Sequence, residues 1–288
     1  MKNGLKTAFL LSALAGLLML FGRLFGGSGG LTIAFLISLV MIGGSYWFSD
    51  KLAIRSARAV EVSEAQLPDY YRIMRELTQR ADIPMPRLYV SPEQQPNAFA
   101  TGRGPKHAAV CVTEGLLRTL SWEEIRGVLA HELAHVRNRD ILTGSIAATI
   151  ASTISFLAQM AMWSSMFGGG GRRDDDEGAN PIVLLAFAIL APVAATIIQL
   201  AVSRSREYEA DRTAARLIGT GEPLARALEK LHGYSLRVPS HVAPAQASNY
   251  IVNPLANRKV ALANLFATHP SAEERIRRLR SGDWQHAL

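Results

Sequence analysis

At 288 residues, 49% hydrophobic and +7 in net charge, the chain has the length for one catalytic domain and several membrane spans. The positive balance reads as membrane topology and contact with anionic lipid. With no interleaving of basic and aromatic residues, it argues against nucleic acid as a partner, and the single cysteine excludes an internal disulfide.

Residues 7–22 and 31–48 contain no Lys, Arg, Asp or Glu and flank a glycine-rich turn at 25–30, which predicts an N-terminal transmembrane hairpin over 1–50. The first stretch is short, but Lys6 and Arg23 at its ends can snorkel. No small-residue cleavage site follows it, so it reads as a retained anchor and not a signal peptide. Residues 51–140 form the first part of a predicted cytosolic catalytic domain. They hold a helical stretch over 63–82, then β-like runs at 87–90, 98–101 and 107–112, and a short turn at 114–117. Cys111 lies in the last run as a small core residue. Ser121 and Glu124 have capping-box spacing. From there Ile125, Val128, Leu129, Leu133 and Val136 recur at helical intervals as a buried stripe on a helix that runs into the next apolar stretch.

Residues 141–167 and 181–202 are again uncharged and predict a second transmembrane hairpin over 141–203, interrupted by a glycine-rich and charged tract at 168–180. The small and hydroxyl residues of its first half also fit a buried or re-entrant pair. Residues 204–288 complete the catalytic domain with a helix ending near Gly219, a helix over 222–233, a loop-rich section to 253 and a last helix capped by Ser271 with Glu274. Lys2, Lys6, Lys51, Arg55, Arg58, Arg137, Arg139, Arg204 and Arg206 fall on one side of these spans, against Arg23, Arg172 and Arg173 on the other. The richer side should be cytoplasmic, which puts both termini and the catalytic domain there.

His131-Glu132-Leu133-Ala134-His135 carries the chemistry. Residues four apart share a helix face, so both imidazoles can grip one metal ion, and Glu132 lies beside it, placed to take a proton from a metal-bound water. The longer motif with a third histidine fails, because Asn138 and Ile141 occupy its glycine and histidine positions. A third ligand must come from elsewhere. Glu207 leads the candidates, with Asp211 four residues on placed to orient a histidine ring; His269, His232 and Asp211 itself are rivals.

H-E-L-A-H followed by a distant E-x-x-x-D, with apolar segments on both sides, resembles the HtpX membrane metalloproteases of bacteria, whose eukaryotic relatives are the CAAX prenyl endopeptidases. The resemblance covers essentially the whole chain. It implies a mainly α, multi-pass membrane protein of the bacterial inner membrane, with a gluzincin-like zinc metalloprotease domain that contains a small β-sheet. One zinc ion per chain would be held by His131, His135 and Glu207, with Glu132 as general base. Asn97, Ala98, Phe99, Ala100 and Thr101 match the family's edge strand, on which a substrate backbone pairs. His269 and Arg275 match its C-terminal motif near the scissile bond. The expected substrates are misfolded or damaged membrane proteins cut at the cytosolic face. Two other readings compete: a prenyl-protein endopeptidase, which is implied to need more spans, and a zinc-bearing membrane scaffold without catalysis, which would have no use for Glu132.

Overall fold

The computed structural model describes residues 53–140, 206–238, 250–252 and 270–285, with scattered positions between 12 and 51. The chain divides into two compact units, one of Met1–Tyr46 with Thr143–Gln199 and one of Trp47–Leu142 with Leu200–Leu288. In the first unit the described positions are helical, among them Ser28 and Gly29, and the Thr32 hydroxyl donates to the Ser28 carbonyl at 3.2 Å. The glycine-rich turn predicted at 25–30 is therefore helical at those two positions. Among the described residues no helix is long and apolar enough to cross a membrane. The stretches 141–167 and 181–202 lie outside the described residues, as do most positions of 7–22 and 31–48.

The second unit is mainly helical with one small sheet. Its strands are β1 (Val60–Glu61), β2 (Arg87–Ser91), β3 (Ala98–Thr101) and β4 (Ala109–Thr113), in the order β1-β2-β4-β3. β2 and β4 are parallel, and β1 and β3 run antiparallel to their neighbours. β4 is buried at all five positions, as an inner strand covered on both faces must be. Among the described residues β3 is an edge strand. Gly102 ends it at φ 126°, where a side chain would collide with the His107 carbonyl.

Helix α1 (Pro68–Ala81) starts later than the 63–82 stretch predicts. Pro68 supplies a pre-set first helical residue with no amide to satisfy, and it holds Leu67 out of the helical conformation. A short helix, α2 (Glu114–Thr119), replaces the expected turn and is capped by the Thr113 hydroxyl, which accepts from the Leu116 amide at 3.1 Å. The central helix α3 (Trp122–Arg137) opens on the capping box read from the sequence. The Glu124 carboxylate accepts from the Ser121 amide at 2.8 Å, and the Ser121 hydroxyl accepts from the Glu124 amide at 3.4 Å. Its stripe of Ile125, Val128, Leu129, Leu133 and Val136 is buried. Each such side chain contributes roughly 1.5–3 kcal/mol of burial.

The chain returns at α4 (residues 206–218), followed by α5 (Glu222–Arg237) and α6 (Ala272–Ser281). α5 presses on α3 at Gly127, where a Cβ would lie 2.5 Å from the Leu224 nitrogen. No other residue allows that approach. Lys230 of α5 then reaches Glu124 at 2.8 Å, so the carboxylate that caps α3 also ties it to α5. At α6 only half of the expected capping box forms. The Ser271 hydroxyl accepts from the Glu274 amide at 3.2 Å, but the Glu274 carboxylate pairs with Arg277 and Arg278. Tyr70, Ile73, Met74 and Leu77 of α1, Val110 and Val112 of β4, Ile125, Val128, Leu129 and Leu133 of α3 and Leu224, Leu228 and Leu231 of α5 share one core, while Val136 packs separately with Ala108.

Candidate metal centre

The buried face of α3 carries His131, Glu132 and His135 up to the point where α4 crosses it. His131 and Glu132 are buried, as are Glu207 and Asp211 on α4, and His135 is partly so. The two Nε2 atoms are 3.2 Å apart; Glu207 places one carboxylate oxygen 3.5 Å from His131 Nε2 and the other 3.6 Å from His135 Nε2. Four ligand atoms around a tetrahedral zinc ion sit about 3.3 Å from one another. The spacing therefore fits a metal, and among the described residues His131, His135 and Glu207 are the group that could hold it. Of the rival ligands, His232 pairs instead with Glu273 at 3.0 Å, and His269 lies outside the described residues.

The outer ring nitrogens explain why both Nε2 atoms point inward. His131 Nδ1 is 2.9 Å from Asp211, and His135 Nδ1 is 3.3 Å from Asp140. Each carboxylate holds a proton on Nδ1 and leaves the Nε2 lone pair directed at Glu207. Two lone pairs facing each other at 3.2 Å call for a cation between them. Electrostatics agree. Burial opposes a charged His131, but the hydrogen bonds it donates to Asp211 and Glu207 outweigh burial and lift its pKa to about 9. The carboxylates thus favour a positive charge at this point, whether a proton or a metal ion supplies it.

Asp140 has no counterpart in the sequence reading, which ran α3 straight on into the apolar stretch. The helix stops at Arg137, Asn138 caps it, and Arg139 adopts a left-handed conformation at φ 59° that swings Asp140 back toward the His135 ring. Its only trace in the sequence is an aspartate five residues beyond His135, a spacing that no continuous helix would put to this use. Asp140→Asn is expected to weaken zinc affinity about 10–100-fold, read by competition with a chelator, while circular dichroism stays unchanged.

Glu132 reaches from α3 to the sheet, where its Oε2 accepts from the Ala100 amide of β3 at 3.0 Å. Burial raises its pKa above the usual carboxylate range, His131 and His135 pull it back, and Glu207 adds to the rise. A carboxylate so placed takes up a proton readily. The bond also fixes the strand. Thr113 donates its amide to the Asn97 carbonyl at 2.9 Å, so by alternation the main-chain groups of Ala98 and Ala100 point away from β4. Phe99 packs its ring on the opposite face of the sheet with Tyr89 and Cys111, and Thr101 is buried. Cys111 is buried too, which pushes its thiol up to about 12.

Arg275 sits behind His131, fully buried. It grips Asp211 through two bonds of 2.8 and 2.7 Å, lies 3.6 Å from Glu207, and donates to the Ile251 carbonyl at 2.8 Å. The Ile251 amide in turn donates to the Asn97 side chain at 3.4 Å. A continuous line of contacts therefore runs from the start of β3 through Ile251, Arg275 and Asp211 to His131. The position suits support of the metal-binding helices; a residue at the scissile bond would need an open path to substrate. Glu209, by contrast, turns outward to Arg212 at 3.6 Å.

The sequence pattern of peptidase family M48 matches residues 64–283. A "Protease HtpX homolog" of Syntrophobacter fumaroxidans is 56% identical over 283 residues, which cover 98% of this chain and 100% of that protein. The "Protease HtpX homolog" of Burkholderia mallei is 52% identical over 282 residues, covering 97% of this chain and 96% of that one. The crystal structure of S. mikatae Ste24p is similar in fold, with a TM-score of 0.56 at 21% identity over 96% of this chain, which spans 65% of the length of that protein.

Proposed function

The chain belongs to peptidase family M48 and is a metalloprotease of the HtpX type; from that premise we propose that its metal is zinc and that it cuts unfolded or damaged membrane proteins at the cytosolic face of the bacterial inner membrane. The observation that carries the metal reading is the mutual spacing of 3.2, 3.5 and 3.6 Å among His131 Nε2, His135 Nε2 and the Glu207 carboxylate. With Asp211 and Asp140 on the outer ring nitrogens, His131 and His135 are held in one orientation, Nε2 toward the metal position. A bound zinc ion supplies Lewis acidity and lowers the pKa of a water it holds toward about 7.

The residues of the chain do the rest. Glu132 takes the proton of the attacking water and delivers it to the leaving amine. The outward main-chain groups of β3, Ala98 and the Ala100 carbonyl, pair with an extended peptide, so recognition is of backbone more than of side chains. That favours tolerant cleavage of unfolded segments. Arg275 is a positioning residue that holds Asp211 against His131, and Asn97 positions Ile251 in the same chain of contacts. His269 is retained as a donor near the scissile carbonyl on the strength of the motif alone.

Residues 1–50 and 141–203 are the two transmembrane hairpins of this reading, and 51–140 with 204–288 the two parts of the cytosolic catalytic domain, with both termini on the same side. Its support is the absence of any Lys, Arg, Asp or Glu from 7–22, 31–48, 141–167 and 181–202, and the distribution of basic residues beside them. The test is a full chain purified in detergent, loaded with zinc and assayed on an unfolded protein. Glu207→Ala is expected to lower zinc affinity more than about 100-fold, beyond what loss of an outer partner costs. Wild-type zinc content in that variant would remove Glu207 as a ligand.

A further inference from the structure

A second feature lies at the start of the catalytic unit, where a cleft of about 600 Å³ opens between residues 47–51 and the turn after β3. Four cations line it: Lys51, Arg87, Arg103 and Lys106. One acid, Asp50, accompanies them, and it is committed to Arg87 at 2.8 Å. Lys51, Arg103 and Lys106 have no acidic partner among the described residues. Cations collected without counter-charge, Lys51 and Lys106 exposed and Arg103 partly so, repel one another, an arrangement that an incoming anion relieves.

The rim has a different chemistry. Trp47 and Phe48 are 57% and 52% exposed, large apolar surfaces that water would disfavour at a catalytic domain's edge. Arg103 lies over the Trp47 ring at 4.4 Å and Lys51 over Phe48 at 5.6 Å. The aromatic pair directly ends the uncharged stretch 31–48, and Lys51 follows it. Aromatic rings beside cations at the end of an apolar stretch are the pattern of a membrane–water interface, where rings meet acyl chains and cations meet phosphates.

We propose that this cleft binds the phosphate headgroup of an anionic phospholipid of the cytoplasmic leaflet. Lys51, Arg103 and Lys106 take the phosphate oxygens while Trp47 and Phe48 lie against the glycerol and upper acyl chain. The inference rests on the membrane reading above and adds to it a defined lipid site outside the metal centre. A soluble phosphorylated partner would satisfy the cations and leave the two rings in water, so lipid is the occupant that uses the whole surface.

The experiment uses the zinc-loaded full chain in neutral detergent micelles, doped with dioleoyl phosphatidylglycerol or with dioleoyl phosphatidylcholine, and counts retained lipid by native mass spectrometry. The wild-type chain is expected to hold the anionic lipid in preference to the zwitterionic one. At about fivefold for each cation, Lys51→Gln with Lys106→Gln should weaken that retention roughly 25-fold. Cleavage of an unfolded protein should be unchanged, which shows the variant to be folded. Equal retention of the two lipids, or equal retention by the two chains, would overturn the lipid site and leave the protease reading intact. Displacement of the lipid by millimolar inorganic phosphate would also overturn it, since the cleft would then be a free-phosphate site. A chain that stays dispersed after detergent removal would overturn the membrane reading and the site with it.

Discussion

Glu132→Gln is expected to retain its metal and to lose peptide cleavage on the order of 10²–10⁴-fold. The amide has the shape of the carboxylate and still accepts from the Ala100 amide, which lies 3.0 Å from Oε2 in the native protein. Strand and helix therefore keep their relation. What disappears is the ability to take a proton. Glu132 is well suited to that step, because burial raises its pKa while His131 and His135 keep the carboxylate available. Initial rates on an unfolded protein, measured beside metal content per chain, separate the two properties. Wild-type rates in a fully loaded variant would mean that another group accepts the proton.

The largest effect on stability is expected from Arg275→Met. Methionine fills much of the space but leaves Asp211 buried with only His131 beside it and no guanidinium, and breaking a buried ion pair in this way costs about 3–5 kcal/mol. Burial alone would raise the Asp211 pKa, yet Arg275 and His131 hold it at about 2, against an ordinary 3.8. A depressed carboxylate contributes stability that is full above its unfolded pKa and is lost as pH falls toward the folded one. Asp211 therefore contributes on the order of 2 kcal/mol at neutral pH, which disappears between roughly pH 4 and pH 2. In the variant that window should close, and acid unfolding followed by circular dichroism should begin at higher pH. Superimposable acid-unfolding curves for the two proteins would refute the assignment.

Legibility in the sequence followed the range of the interactions. The grip of His131 and His135 on one face needs only helical geometry, and the capping box of Ser121 and Glu124 is a four-residue affair, so both were readable. Glu207 was reachable because its partner Asp211 lies one turn away on the same helix. Strand β3 is readable in the sequence, but the bond from Ala100 to Glu132 is not, since it depends on how closely α3 lies against the edge of the sheet. Asp140 escaped because a single left-handed residue, Arg139, reverses the chain at that point. The C-terminal motif marks Arg275, but a motif does not say which side of an imidazole an arginine occupies. Its burial beside Asp211 is a product of α6 docking from more than sixty positions away in the chain. Glu274 shows the converse: a capping-box spacing is permissive, and nearby arginines claimed the carboxylate.

The placement of Arg275 has a consequence for the newborn protein. Ribosomes deliver His131 and Glu207 well before the arginine that steadies them, so an emerging chain carries an unbraced Asp211 and an unsteadied His131 until α6 is made. Full support of Asp211 against His131 would then arrive only once α6 has been made and docked.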